Sequence, residues 1–286
     1  MRITNDLYRF FTLFCIYIFL SGCTENPLST DEKISSRTIR GKVNLSDQEN
    51  PDGIFVWLEN LDISTQTDEN GDFLLELPPP KSEGTGEGVN EDFYLYYYIA
   101  NYQLDSSKVV LLNGEVVRSA GDINEKGELN EVKYLSRILS INTEVSPPSF
   151  SKKYDKQVVA TVTLQALSNP VIVESLKKVE DQVLKRTGLI IIDQHGNFVK
   201  AIDLDPSWKK AAEIVNLETK IWKIRFSWIA CDLPEGMYRM IPYFLVEQKN
   251  VPQQLIDNMG PDVEKLGPGY LKIPFKRQGG DFTITF

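Results

Sequence analysis

Short runs in which apolar and polar side chains alternate, each closed by a turn, recur along most of this chain, and they leave little room for anything but β-structure. The clearest is TKIWKIRFSWIAC, where Trp222, Ile224, Phe226, Trp228 and Ala230 fall on one face and Lys223, Arg225 and Ser227 on the other. A strand of this kind covers a core with one face and meets water with the other. With 42% hydrophobic and 25% charged residues among 286, the chain has enough apolar side chains for real cores. Its length favours two domains over one.

The strands fall into two groups. From residue 38, TIRGKVNL, GIFVWLENL and FYLYYYIANY read as strands, and STQTDENGDFLLELP as strand, turn, strand. KVVLLNGEVVRS is a hairpin around Asn113-Gly114, a pair that tolerates φ > 0 at both turn positions. The polar stretch PPPKSEGTGEGVNED between them is a loop. SPPSFSKK, residues 146–153, is expected to be a linker, because paired prolines interrupt helices and sheet ladders. Beyond it QVVATVTLQAL, GLIIID, FVKAIDL, MYRMIPYFLVEQ and GDFTITF read as strands, with Pro242 interrupting the fourth. NPVIVESLKKVEDQVLKRTG fits either a strand start, from its β-branched Val171, Ile172 and Val173, or a helix with Val173, Leu176, Val179 and Val183 on one face. Asp205-Pro206 is placed to cap and start a short helix through WKKAAEIV. The expected fold class is therefore all-β, with two small β-sandwich domains over 38–145 and 153–286, the second immunoglobulin-like in a generic sense.

The first 22 residues differ from all this. Arg2 and Arg9 precede the uncharged run FFTLFCIYIFL, whose 11 residues are too few to cross a bilayer, since a spanning helix needs roughly 20. The run fits the apolar region of a secretory signal, and small Ser21 and Gly22 then lead to Cys23. Leu20-Ser21-Gly22-Cys23 resembles the lipobox of bacterial lipoproteins. The resemblance implies cleavage between Gly22 and Cys23, a diacylglycerol on the Cys23 sulfur and a further acyl group on its new amino terminus. At about 0.8 kcal/mol per buried CH₂, each long chain contributes on the order of 10 kcal/mol of membrane attachment. TENPLSTDEKISSR then reads as a tether over 23–37 with a reach of about 20 Å. Thr24 stands where enteric lipoproteins kept in the inner membrane tend to have Asp, so the resemblance points to the outer membrane of a bacterial envelope.

A second resemblance lies in the first strand group. Gly41-Lys42-Val43, Gly53-Ile54-Phe55-Val56-Trp57-Leu58, Thr67-Asp68-Glu69-Asn70-Gly71-Asp72-Phe73 and Ile99-Ala100-Asn101-Tyr102 are similar to the carboxypeptidase regulatory-like domain, a transthyretin-type β-sandwich. Family members often have Gly where Asn101 stands, which a turn would tolerate. The resemblance implies a scaffold or binding platform with no catalytic residues of its own.

Charge and residue types narrow the chemistry. The chain carries −9, and with the leader's net +1 removed −10 remains, which repels phosphate backbones; no nucleic-acid partner is expected. Cys15 leaves with the leader and Cys23 takes lipid, so Cys231 is the remaining thiol and no disulfide is expected. One histidine, His195, does not make a zinc site. Asp68, Asn70 and Asp72 imitate the start of a calcium loop, but Phe73 and Pro79 occupy its sixth and twelfth positions. Asp122, Asn124 and Gly127 do the same, with Lys126 and Lys133 where ligands belong. Asp193, Asp203, Asp205 and Glu213 have no spacing that sets two carboxylates across a substrate. No catalytic residue, metal or cofactor is expected. The expected function is a non-enzymatic, lipid-anchored envelope protein that scaffolds or binds other envelope proteins. A carbohydrate-binding accessory lipoprotein, using Trp208, Trp222, Trp228, Tyr238, Tyr243 and Phe244 as an aromatic platform, is the alternative, and an unrecognised envelope hydrolase the third.

Overall fold

A computed structural model describes residues 37–79, 91–180, 182–202, 207–227 and 233–286, all within one compact unit. Strands follow one another as β1 (Thr38–Leu45), β2 (Phe55–Leu58), β3 (Ile63–Gln66), β4 (Asp72–Glu76), β5 (Glu91–Tyr98), β6 (Asp105–Leu112), β7 (Glu115–Val116) and β8 (Lys133–Leu135). The chain continues through β9 (Leu139–Ser146), β10 (Ser149–Ser151), β11 (Gln157–Ala166), β12 (Val171–Glu180), β13 (Val183–Thr187), β14 (Leu189–Asp193) and β15 (Phe198–Ile202). It ends with β16 (Lys209–Val215), β17 (Lys220–Ser227), β18 (Gly236–Pro242), β19 (Phe244–Glu247), the short helix α1 (Gln253–Asn258), a 3-10 turn at Pro268–Lys272, β20 (Gln278–Gly279) and β21 (Asp281–Thr285). The fold is all-β and built of packed sheets. Among the described residues no helix is long and apolar enough to cross a membrane.

Two sheets, β4-β1-β8 and β3-β2-β5-β6-β7, face each other over a core that includes Ile39, Val43, Val56, Phe93, Leu95 and Tyr97. The hairpin at Asn113-Gly114 forms as expected, with φ of 55° and 77° and Leu112 opposite Glu115. Three further sheets follow: β10-β21-β18-β14-β15, β17-β11-β9-β20, and β13-β12-β16 with β19 alongside β12. Between β11 and β17, Val158 lies opposite Phe226, Ala160 opposite Ile224 and Val162 opposite Trp222, so the alternation read from the sequence becomes one buried face.

Several local expectations change. Residues 139–145, read as the end of the first domain, lie in β9, which pairs antiparallel with β11 in the second group of sheets. The expected linker at 146–153 starts with a cis Ser146–Pro147 bond and carries β10, which pairs with β21. The helix expected through WKKAAEIV is instead β16: Val171 to Lys177 of β12 pair with Val215 to Lys209. Ala211, Glu213 and Val215 also alternate at period two, and the free edge of β12 selects that period over the helical one. VIVESLKKVE, Val171–Glu180, is strand throughout.

No sequence-based expectation covers residues 249–277. This segment contributes Leu255, Ile256, Met259, Val263, Tyr270 and Ile273 to a third core, shared with Phe55, Trp57, Tyr98 and Ala100 from the first sheets and Ile190, Ile241 and Tyr243 from the second group. The seam between the two halves is thus filled. At its end Asn101, fully buried, donates from Nδ2 to the carbonyls of Leu139 (3.0 Å) and Lys276 (2.9 Å), and its Oδ1 accepts from the Lys276 N–H (3.0 Å).

Candidate functional site

Three turns that carry acids or amides in a ligand-like spacing share one design. Asp68 Oδ1 accepts from the N–H groups of Asn70 and Asp72. Asn124 Oδ1 does so from Lys126 and Glu128, and Asp193 Oδ1 from His195 and Asn197. In each the fourth residue is a glycine, Gly71, Gly127 or Gly196, with φ of 82°. At Gly71 a Cβ would meet the Val43 carbonyl at 2.3 Å, so the glycine is needed for close approach as well as for φ. These oxygens cap backbone, as in any Asx turn. Among the described residues no group of three His, Cys, Asp or Glu could hold a metal ion.

Of the candidate acids, Asp203 and Asp205 lie outside the described residues, as does Cys231. Hydrogen bonds from the Asn197 side chain and backbone hold Asp193 below the usual carboxylate range. Glu213 is surrounded by cations: Lys220 at 2.7 Å, Arg186 at 3.0 Å and Lys177 at 3.2 Å. Burial pushes its pKa up, but the hydrogen bonds and charges of Lys220, Arg186 and Lys177 outweigh that and leave it below the ordinary 4.5. A carboxyl so held is a poor general acid. Asp193 and Glu213 sit in different sheets, and the structure does not set them across a common cleft.

The network has a consequence for acid stability. Because the folded value is depressed, the contribution of Glu213 is complete above pH 4.5 and is lost as pH falls through the folded value. Glu213→Gln should therefore lower stability near neutrality by about 1–3 kcal/mol, moderated because Lys220 is 32% exposed. The variant should also show a shallower loss of stability than the parent on acidification below pH 4.5. Thermal unfolding across that range checks both; parallel curves for the two proteins would refute the role given to Glu213.

The aromatic side chains expected to form a platform are mostly core. Trp222 is 1% exposed, Tyr238 8%, Tyr243 2% and Phe244 0%, and Trp222 meets Phe244 edge-on at 5.5 Å. Trp208 is partly buried, and Trp228 lies outside the described residues. Core packing explains the alternating aromatics because each sits on the inward face of a strand or in the seam.

The concave surface that stands out is a groove of about 380 Å³ on the outer face of the β10-β21-β18-β14-β15 sheet. Ile192 of β14 and Met237 of β18 give it an apolar floor, Met237 being 59% exposed. Arg239 and Asp281 pair across it at 2.8 Å, and the Asp193 turn forms one wall. An apolar floor with a charged rim suits contact with another polypeptide or an amphipathic ligand. Gly22 and Cys23, the residues expected to be cleaved and lipidated, lie outside the described residues.

No protein-family model and no curated protein sequence matches the chain. Among solved structures, the Bacillus anthracis TIE protein is similar over 74% of this chain and 48% of its own, at 12% identity and a TM-score of 0.21. The structure titled CBD12 from CALX1.2 is similar over 87% of this chain and 99% of its own, at 8% identity and a TM-score of 0.18. The chain thus spans about half the length of the first of these.

Proposed function

We propose that this chain is a non-enzymatic, lipid-anchored protein of a bacterial cell envelope, whose β-sheets scaffold or bind other envelope proteins. The observation that carries the reading is Leu20-Ser21-Gly22-Cys23 at the end of an uncharged run too short to span a bilayer. The groove floored by Ile192 and Met237 supports a binding role, and the capped or ion-paired state of Asp193 and Glu213 weighs against hydrolysis. Burial of Trp222, Tyr238, Tyr243 and Phe244 weighs against the glycan-platform alternative. Outer-membrane residence follows from Thr24 on the same proposal.

The test is Cys23→Ser in a bacterial host that processes lipoproteins. The wild type should incorporate labelled palmitate and sediment with membranes, and the variant should do neither. A variant that still sediments with membranes as the wild type does, or a wild type that takes up no label, overturns the anchor.

A further inference from the structure

Arg277 lies in an unusual setting for a guanidinium. Its Cζ sits 3.8 Å from the Phe275 ring centroid and 5.1 Å from that of Tyr270, and its Nη2 donates to Tyr270 Oη at 2.6 Å. No ion pair joins it to a carboxylate among the described residues, and its Nε is buried without a hydrogen-bond partner. Arginine cannot shed its proton to escape such a place. A buried charge without its counter-ion is costly, and stacking on aromatic rings offsets only part of that.

Arg277 opens on a cavity of about 140 Å³ between β9, β18 and the segment 275–279. A second unused donor lines the same cavity: Thr143 of β9 is 3% exposed, and its Oγ1 has no hydrogen-bond partner. The other cation on the lining, Arg239, is already paired with Asp281. Ile192, Ile241, Pro242 and Phe275 supply apolar side chains to one part of the lining, and Gln278 adds a polar one. The wall is held by a tight passage of backbone, because Gly280 N–H donates to Thr143 O and Gly280 O accepts from Met240 N–H. Gly279, at φ 71°, has no room for a side chain; a Cβ there would lie 2.2 Å from the Thr143 carbonyl.

A ligand that satisfies these groups together must bring negative charge, acceptor oxygens and a small apolar body. We propose that this cavity is a carboxylate-binding site, in which Arg277 supplies the counter-charge, the Thr143 hydroxyl a further hydrogen bond, and the apolar wall a seat for a short side group. Carboxylate is favoured over phosphate because the unpartnered Arg277 Nε–H and Thr143 hydroxyl are two donors, which match two oxygens rather than three. The cavity shares Ile192 and Arg239 with the groove on the outer sheet face and so adjoins it. The carboxylate could belong to a free small acid or to the carboxy terminus of a polypeptide. The inference goes beyond the proposed function and does not depend on whether Cys23 carries lipid.

Calorimetric titration of the full-length chain in non-ionic detergent, at constant ionic strength, tests it with two probes: sodium propionate, and the tripeptide Ala-Ala-Ala with a free or an amidated terminus. Propionate should bind saturably, and Arg277→Lys and Thr143→Val should each weaken it about tenfold or more, since a hydrogen bond to a charged group is at stake. Tighter binding of the free tripeptide than of its amide would assign the site to chain termini. Equally poor binding of both peptides beside saturable propionate would assign it to small acids. The proposal is overturned if neither propionate nor the free tripeptide binds saturably, or if both variants, shown by thermal unfolding to be folded, bind as the wild type does.

Discussion

Replacing Asn101 with alanine is expected to lower the stability of the folded chain by about 3–5 kcal/mol, because buried partners each lose about 1–3 kcal/mol when orphaned and such losses are not fully additive. The side chain is fully buried and makes three hydrogen bonds, to Leu139 O, Lys276 O and Lys276 N–H. Alanine removes the side-chain partner of all three backbone groups. Aspartate should do worse, since a carboxylate would face the carbonyls of Leu139 and Lys276 that now accept from an amide. Glycine, which also lacks the amide and adds backbone freedom, should cost as much as alanine or more. Urea unfolding gives the answer; a loss below about 1 kcal/mol for alanine would show that the seam does not depend on this amide.

Trp57→Ala is expected to be comparably damaging, at about 3–5 kcal/mol for a large aromatic removed from a close-packed core. Trp57 is 0% exposed in the third core and stacks on Tyr96 at 5.7 Å and 29°. Its Nε1 has no hydrogen-bond partner, so the loss is one of packing. Trp57→Phe should therefore recover more than half of the loss, which a hydrogen-bonding role for the indole would not allow. The same urea unfolding curves discriminate the two, and equal losses for Ala and Phe would refute the packing account.

How much of this was legible in the sequence depends on the range of the interaction. The strand faces of β11 and β17 were readable because period-two alternation is a local property, and so was the Asn113-Gly114 hairpin. The Asx turn at Asp68 was readable as a turn, with Gly71 three residues after the capping Asp. What failed was decided at a distance. WKKAAEIV carries helix signals, yet the edge of β12 draws it into a sheet. Residues 139–145 look like the close of the first domain but find their partner in β11. The segment 249–277 has no clean period, because it packs as isolated anchors in a seam. The role of Asn101 was hidden for a similar reason: in sequence it is a turn residue, and its partner Lys276 lies 175 residues away. Arg277 and Thr143 gave no signal at all, since nothing local marks a cation without an anion.

The clasp between Asn101 and Lys276 also bears on how the chain reaches this structure. Closing a loop of 175 residues costs about 5 kcal/mol of chain entropy beyond a constant term, and contacts so distant in sequence slow folding. Until that loop shuts, the face bearing Phe55, Trp57 and Tyr98 has no cover. The early half of the molecule must wait, greasy side bare, for the late half to arrive, and during that wait it is most exposed to sticking to its neighbours.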